Sequence, residues 1–261
     1  MLDFHNHLIP GVDDGAANIG ESRTGLKAMV ADGITEIIAT PHVTASLALG
    51  DGLEGYLNHI AEAWSQLQSL VAAEFPELAL YRGFEVALDV PHPKLDNPLL
   101  RLAGTDFVLV EFPFMNIPPN SAYALRELTD AGLVPIIAHP ERYGNMEENM
   151  GLIDDWRDSG AYLQMNAGSL VGTYGSRAHR IAWFLLEEGK TEYLCSDYHS
   201  RGRCSVGAAR ADINAKGLAG QLAILDENAR RIVKGDRPDR LQPVVGEPFP
   251  RWKRLLRLGR R

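Results

Sequence analysis

The chain has 261 residues, of which 45% are hydrophobic and 23% are charged, and its formal net charge is −8. This is the composition of a globular protein, and it excludes a generic nucleic-acid binder because such proteins normally show a basic face. With only two cysteines, no basic and apolar leader and no apolar run of roughly 18 residues, we expect a soluble cytoplasmic protein.

Short apolar runs alternate with longer amphipathic segments, which is typical of parallel strands joined by crossover helices. Strands are predicted over 2–5, 35–40, 78–85, 107–111, 134–139, 161–166 and 192–196. Helices are predicted over 19–31, 53–73, 121–131, 146–159, 177–188 and 206–215. Gly33, Gly132 and Gly160 each precede a strand and are expected to end a helix. Seven strands favour an α/β barrel in one domain over residues 1–245.

A basic tail over residues 246–261 follows the predicted domain. Its last eleven residues, RWKRLLRLGRR, carry six positive and no negative side chains. The tryptophan and three leucines of this segment interleave with the cations, so residues 251–261 fit a short amphipathic helix that contacts an anionic membrane surface or an acidic partner. A frayed, solvated tail is the simpler alternative, because so short a segment is marginal as an isolated helix.

Residues that can bind metal follow the apolar runs of several predicted strands. They are His5, His7, His42, Glu85, Glu111, His139, Asp197 and His199. The carboxyl ends of the strands in a parallel barrel lie on one face, so side chains far apart in sequence converge there. Buried carboxylates such as Glu85 and Glu111 are costly unless a cation or hydrogen bonds compensate them. Imidazole and carboxylate together suit manganese, iron or zinc, and the sequence therefore predicts a site for divalent cations.

Each of these histidines, taken alone, is more simply explained as a hydrogen-bonded core or rim residue. Five of the eight histidines at strand ends, together with three carboxylates, favour a metal cluster instead. Asp13 and Asp14 follow the first histidine pair, and they fit either the same site or a turn that caps the next helix. His59, His92 and His179 lie away from strand ends and are interpreted as surface or packing residues.

The motifs HNH, TPH, AHPERY and SDYH, with a glutamate after the third and the fourth strand, resemble the polymerase and histidinol phosphatase (PHP) superfamily. The opening DFHNHLIPGVDDG and the segment AHPERY are similar to its bacterial protein-tyrosine phosphatase branch, which includes regulators of capsule and exopolysaccharide biosynthesis. The resemblance runs from His5 to about Arg203. It implies a distorted (β/α)7 barrel with three divalent metal ions, of which manganese is expected and iron or zinc are alternatives.

The same resemblance implies a role for each residue of the site. The first cation would be held by His5, His7, Glu85 and Asp197, the second by Glu85, Glu111 and His139, and the third by Asp14, His42 and His199. Arg142 matches the arginine of the family's ERY motif, which contacts substrate phosphate. A second arginine follows the last Asp-x-His motif in the family, and the shortened loop SRGRC leaves open whether Arg201 or Arg203 takes that role.

The implied reaction is hydrolysis of a phosphomonoester by metal-activated hydroxide. Such an ester carries close to two negative charges near neutral pH, and clustered cations neutralise it and lower the pKa of water toward about 7. Tyrosine phenolate, with a parent pKa of about 10, leaves more readily than an alkoxide. The resemblance implies a phosphotyrosine protein as the substrate, namely the tyrosine-rich tail of a kinase involved in polysaccharide export.

Three other functions stay open. Cys195 with Arg201, and Cys204 with Arg210, match the Cys-x5-Arg signature of the cysteine-dependent tyrosine phosphatases. Asp197 would place a carboxylate inside the first phosphate loop, and the second loop lacks a glycine-rich turn. A phosphatase for a small metabolite such as histidinol phosphate is another possibility. The third is a non-enzymatic metal-binding scaffold that docks at a membrane through its basic tail.

Overall fold

Short parallel strands form the centre of the molecule in the computed structural model, which describes residues 1–244. In chain order they are β1 (Leu2–Asp3), β2 (Glu36–Ala39), β3 (His42–Thr44), β4 (Ala79–Arg82), β5 (Glu85–Ala87), β6 (Phe107–Glu111), β7 (Val134–Ala138), β8 (Tyr162–Asn166) and β9 (Tyr193–Cys195). All seven segments predicted as strands contain strand structure. The predicted basic tail, 246–261, lies outside the described residues.

The strands belong to two sheets, with the orders β1-β2-β4 and β3-β5-β6-β7-β8-β9. The predicted strand 35–40 contains β2 alone, and β3, which follows residues 40–41, was not predicted. The predicted strand 78–85 is interrupted at residues 83–84, which separate β4 from β5. The pairing continues across both breaks: Ala39 lies opposite Arg82, and His42 lies opposite Glu85. An isolated parallel bridge between Asn6 and Tyr198 brings the end of the first strand beside the last. The architecture is therefore α/β with parallel sheets, and a closed barrel is not detected among the described residues.

Helices cover the sheets, as the alternating pattern predicts. They are α1 (Ile19–Ala31), α2 (Ala45–Leu49), α3 (Gly52–Glu74), α4 (Ser121–Asp130), α5 (Leu152–Asp158), α6 (Ala167–Leu170), α7 (Gly175–Glu187), α8 (Val206–Ala215) and α9 (Ala219–Ile232). The six predicted helices are present, and α5 is shorter because a 3-10 turn at Glu147–Asn149 precedes it. Helix α9 was not predicted, although its buried residues Leu222, Leu225, Ala229 and Ile232 recur at helical spacing.

Local signals fix where the helices begin and end. Asn18 caps α1, since its Oδ1 accepts a hydrogen bond from the backbone N of Glu21 at 3.1 Å. Gly33, Gly132 and Gly160 have φ values of 88°, 87° and 94°, which confirms that they allow the chain to leave a helix and enter a strand.

Both faces of the strands are buried in apolar surroundings. Successive residues of β6, Val108, Leu109 and Val110, are fully buried and alternate between two apolar clusters. This is the arrangement expected of parallel sheets covered by helices, and it leaves the strand ends as the positions for polar side chains. Within residues 1–244, no helix has the length and apolar character that crossing a membrane requires.

Candidate metal centre

The strand ends and the loops beside them bring all nine predicted ligands together. His5 and His7 follow β1, Glu111 ends β6, and His139 follows β7. His42 and Glu85 lie directly opposite each other where β3 and β5 begin. The remaining three, Asp14, Asp197 and His199, lie on the loops after β1 and β9. The convergence predicted from the strand-end pattern is thus found in the structure.

Glu85 lies at the centre of this cluster and is fully buried. Its Oε1 is 3.1 Å from Nε2 of His5 and 3.1 Å from Nε2 of His139. Its Oε2 is 3.1 Å from Nδ1 of His42 and 3.4 Å from Nε2 of His7. Four imidazoles therefore surround one carboxylate.

Asp197 is the second carboxylate in contact with His5 and His7. Its Oδ1 lies 3.3 Å from Nε2 of His5, 3.5 Å from Nε2 of His7 and 3.4 Å from Nδ1 of His199. Asp197 has a φ of 49° and His139 a φ of 35°, which is the left-handed region that residues other than glycine rarely adopt. Such backbone conformations cost about 1–3 kcal/mol and concentrate at functional sites.

The outer part of the cluster is built around Asp14. Its Oδ1 is 3.4 Å from Nε2 of His42 and 3.3 Å from Nε2 of His199. His42 faces two directions, because its Nδ1 is also 3.6 Å from Oε1 of Glu111. Four groups of candidate ligand residues are present, and the ligand atoms within each group lie within 4.8 Å of one another. The groups are His7–Asp14–His42–His199, His5–Glu85–His139, His5–His7–Asp197 and His42–Glu85–Glu111. Each group offers the ligand atoms that a metal ion requires.

Several buried polar atoms in this cluster have no hydrogen-bond partner. They include Nε2 of His5, Nε2 of His7, Oε2 of Glu85 and Oδ1 of Asp197. These atoms approach one another to within 3.3–3.5 Å but not in hydrogen-bonding directions. An unsatisfied buried polar group costs about 1–3 kcal/mol, and a cation bound by several of them would remove that cost. This donor set of imidazole nitrogen and carboxylate oxygen fits divalent transition metals.

The proton affinities of the side chains also depart from their usual values. Burial alone would lower the pKa of His5, but the carboxylates of Glu85 and Asp197 outweigh burial and raise it to about 9. Burial, assisted by the negative charge of Glu85, raises the pKa of Glu111 to about 7. Without metal, the cluster therefore retains protons that bound cations would displace.

The histidines are held by residues behind them. Nδ1 of His7 is 2.7 Å from Oδ2 of Asp13, so Asp13 orients a predicted ligand while Asp14 joins the cluster itself. Gly15 lets this loop approach closely, since a Cβ there would lie 2.1 Å from the backbone oxygen of His7. Nδ1 of His5 is 2.8 Å from Oε1 of Gln164, a residue that sequence reasoning missed. The available signal was a buried strand, β8, that contains two amide side chains.

Arg142 lies at the edge of the cluster, as predicted. Its Nη1 donates to Oδ2 of Asp197, and its guanidinium carbon is 4.2 Å from the centre of the Tyr174 ring. Arg201 donates from Nη2 to the backbone oxygen of Asp14 at 2.7 Å. Arg203 is exposed. Of the two arginines left open by the sequence, Arg201 is therefore the one in contact with the loop of a predicted ligand.

The cysteine motifs have the wrong surroundings for nucleophilic catalysis. Burial raises the pKa of the Cys195 thiol well above its usual value, and burial also raises the pKa of Cys204. Arg210 is engaged by Asp226 through two contacts of 2.5 and 2.8 Å. Both thiols therefore favour the protonated form, which is a poor nucleophile toward phosphorus.

The three histidines interpreted as surface or packing residues lie outside the cluster. His59 is exposed. His92 is also exposed, with Nδ1 3.0 Å from Oε1 of Glu127. His179 has its Nδ1 3.2 Å from the backbone oxygen of Ser169.

Comparison with known proteins gives concordant results. A sequence model of a family described as capsular polysaccharide synthesis, CpsB/CapC, matches residues 1–234. The chain is 32% identical over 202 residues to the tyrosine-protein phosphatase YwqE of Bacillus subtilis (strain 168), covering 77% of this chain and 78% of YwqE. It is 25% identical over 243 residues to the tyrosine-protein phosphatase CpsB of Streptococcus pneumoniae, covering 89% of this chain and 98% of CpsB.

A solved structure is similar over almost the whole chain. It comes from the crystal structures of YwqE from Bacillus subtilis and CpsB from Streptococcus pneumoniae, which are described as metal-dependent tyrosine phosphatases. The TM-score is 0.80 at 28% identity, and the match covers 94% of this chain and 100% of that chain.

Proposed function

Since the chain belongs to the CpsB/CapC family of capsular polysaccharide synthesis, we propose that it is a metal-dependent protein-tyrosine phosphatase whose substrate is a tyrosine kinase of polysaccharide biosynthesis. The names of its relatives support the reaction. The observation that carries the proposal is the group of buried atoms from His5, His7, Glu85 and Asp197 that face one another without hydrogen bonds. The lone pairs of these nitrogen and oxygen atoms are the ligands that divalent cations bind, and the described residues give them no hydrogen-bond donor.

We propose three divalent ions, with manganese as the native metal and iron or zinc as alternatives. The proposed ligands are His5, His7, Glu85 and Asp197 for the first ion, Glu85, Glu111 and His139 for the second, and Asp14, His42 and His199 for the third. The grouping of candidate ligand atoms supports part of this division, since His5, His7 and Asp197 form one group, and Asp14, His42 and His199 form another together with His7. Glu111 is grouped with His42 and Glu85, and its Oε2 is 3.8 Å from Nε2 of His139. The two sheets are proposed to form a distorted (β/α)7 barrel, supported by the bridge between Asn6 and Tyr198.

When bound, such cations would neutralise the phosphate and lower the pKa of a water molecule toward neutrality. The protein's own residues bind and orient the ester. The planar guanidinium of Arg142 matches two phosphate oxygens, a geometry that lysine lacks. Tyr174 packs against that guanidinium and keeps it at the edge of the cluster. Arg201 is proposed as the second phosphate contact because it lies beside Asp14.

The proposed substrate is an aryl phosphate on a protein. A tyrosine leaving group requires little protonation, which fits a site where the carboxylates and histidines serve the cations. We propose a cytoplasmic location, since both cysteines are free thiols, as is usual in a reducing compartment. Contact of residues 251–261 with an anionic membrane or an acidic partner stays a prediction, because these residues lie outside the described part of the chain.

Metal analysis paired with phosphotyrosine hydrolysis tests the proposal. The full chain is assayed with a phosphotyrosyl peptide and with histidinol phosphate, before chelation, after chelation and after manganese is returned. We expect chelation to abolish hydrolysis, manganese to restore it, and the peptide to be the better substrate.

Each alternative predicts a different result in the same assay. A preference for histidinol phosphate would indicate a small-metabolite phosphatase. Manganese-loaded protein that hydrolyses no aryl phosphate would indicate a scaffold. Activity that survives chelation but is lost in Cys204→Ser would indicate cysteine chemistry.

A further inference from the structure

Three buried hydrogen bonds connect His5 to Asp197 through two amide side chains of β8. Nδ1 of His5 is 2.8 Å from Oε1 of Gln164, and Nε2 of Gln164 donates to Oδ1 of Asn166 at 2.9 Å. Nδ2 of Asn166 then donates to Oδ2 of Asp197 at 2.6 Å. His5, Gln164 and Asn166 are fully buried, and Asp197 is 4% exposed. We call this connection the amide chain.

The amide chain is held rigidly by the strand that carries it. Gln164 and Asn166 are two residues apart on β8, so their side chains point to the same side of the sheet. The backbone N of Asn166 donates to Oε1 of Glu141 at 2.9 Å, which fixes the end of the strand. Fully buried amides are uncommon and require partners at each polar atom.

The charge of Asp197 determines the direction of every hydrogen bond in the amide chain. An ionised carboxylate only accepts, so the NH2 group of Asn166 must face Asp197. Its oxygen then faces Gln164, which must donate its own NH2 group. That leaves the oxygen of Gln164 toward His5, whose Nδ1 must carry a proton.

The amide chain also affects how His5 faces the metal centre. With its Nδ1 protonated, neutral His5 presents the lone pair of Nε2, the atom that lies 3.1 Å from Glu85 and 3.3 Å from Asp197. His7 is oriented differently, by direct contact of its Nδ1 with the carboxylate of Asp13. A carboxylate in place of the Asn166 amide would meet Asp197 at hydrogen-bonding distance and repel it.

We propose that Gln164 and Asn166 are positioning residues that couple two metal ligands, setting the tautomer of His5 and the orientation of the Asp197 carboxylate together. This inference rests on the proposed metal site. Arg142 and Asn166 both donate to Oδ2 of Asp197. Asn166 therefore retains the carboxylate orientation when Arg142 turns toward a substrate phosphate.

The test measures Mn²⁺ affinity of the chelator-treated full chain by titration calorimetry. Gln164→Met and Asn166→Leu keep side-chain volume but break the amide chain, and each should weaken Mn²⁺ binding by about 10- to 100-fold. The double variant should lose much less than the product of the single losses, because both substitutions break one connection. Gln164→Glu still accepts from His5 and should recover part of the affinity lost in Gln164→Met.

Asn228→Leu is the matched control. Asn228 is a fully buried amide whose NH2 group donates to the backbone oxygens of Glu192 and Asp239 at 3.1 and 2.9 Å, away from the cluster. Its replacement should lower the melting temperature without changing Mn²⁺ affinity.

Nitrogen NMR of the imidazoles in the Zn²⁺-loaded protein gives a readout that stability alone would not change. His5 should be protonated at Nδ1 in the wild-type chain and in Gln164→Glu. The Gln164→Glu variant keeps the inference testable if Gln164→Met fails to fold. Wild-type Mn²⁺ affinity in folded Gln164→Met and Asn166→Leu, or an Nε2-protonated His5 in the wild-type chain, would overturn the inference and leave the proposed phosphatase standing. A wild-type chain that binds no metal would overturn both.

Discussion

Glu85 and Glu192 are both fully buried, yet they have opposite surroundings. Glu192 precedes β9, and the chain satisfies it completely. Its Oε1 accepts from Arg157 at 3.1 Å and from Arg240 at 2.9 Å, and its Oε2 accepts from the backbone N of Leu163 at 2.9 Å. Two permanent cations and an amide compensate one buried charge.

Glu85 has different partners, because no arginine or lysine is paired with it among the described residues. Four imidazoles surround it, and its Oε2 lacks a hydrogen-bond partner. Asp197 and Glu111 add further negative charge within the same cluster. A buried carboxylate that is paired with arginines holds the fold together. One that faces only imidazoles is suited to bind cations, because a cation can displace the protons of the imidazoles.

The largest expected effect is that of Glu85→Gln. Loss of the carboxylate shared by the proposed cations should lower kcat/KM for a phosphotyrosyl peptide by about a thousandfold, equivalent to ~4 kcal/mol of transition-state stabilisation. Metal content, measured by elemental analysis, should fall with it. Mn²⁺ should raise the melting temperature of the wild-type chain but not of the variant. Retained metal and activity in Glu85→Gln would remove the contrast between the two glutamates.

Glu192→Gln is the opposite test. Arg157 and Arg240 would lose their shared anion, and the free energy of unfolding in urea should fall by about 3 kcal/mol. The folded variant should bind Mn²⁺ and hydrolyse the peptide as the wild type does. A variant that keeps wild-type stability but loses metal would show that the surroundings of Glu192 and the metal cluster are not independent.

The sequence alone was sufficient to predict the cluster because its signal is local. Each of Glu85, Glu111 and His139 stands where an apolar run stops, and parallel pairing then brings such ends together. The seven strand regions and six of the helices were predicted for the same reason, since the period of buried residues is visible along the chain.

The supporting residues could not be predicted in this way. Gln164 and Asn166 lie inside a strand, and only the position of β8 between β7 and β9 shows that they reach His5 and Asp197. Strand β3, which pairs with β5, likewise lies outside the predicted strands. Periodicity carries no information on such contacts.

A smaller effect concerns pH and follows from the protons that the cluster retains without metal. The folded-state pKa of His5, about 9, lies above its usual value of 6.5, so its contribution to stability is complete below pH 6.5 and is lost as pH rises through 9. Chelated protein should therefore lose stability from pH 6.5 to 9, on the order of 2 kcal/mol. Glu111, raised from 4.5 to about 7, gives up its contribution earlier, between pH 4.5 and 7.

Bound metal should reverse this trend, because cations displace the same protons and bind more tightly as pH rises. Thermal melts with chelator and with Mn²⁺ should thus separate increasingly from pH 6.5 to 9. Glu192→Gln should show the same widening from a lower starting temperature, and Glu85→Gln should show none. A separation that stays constant with pH in the wild-type chain would contradict the proton-displacement argument.

The smallest expected effect is that of Cys204→Ser, which tests whether the Cys204 thiol takes part in catalysis. Cys204 is 8% exposed, burial raises the pKa of its thiol, and Arg210 is held by Asp226 much as Arg157 is held by Glu192. A cation already neutralised by a structural carboxylate is poorly suited to bind phosphate. We expect kcat/KM to stay within about twofold of wild type, with a stability loss of about 1 kcal/mol from burying a hydroxyl. A large loss of activity at unchanged manganese content and melting temperature would transfer the chemistry from the histidine cluster to the thiol.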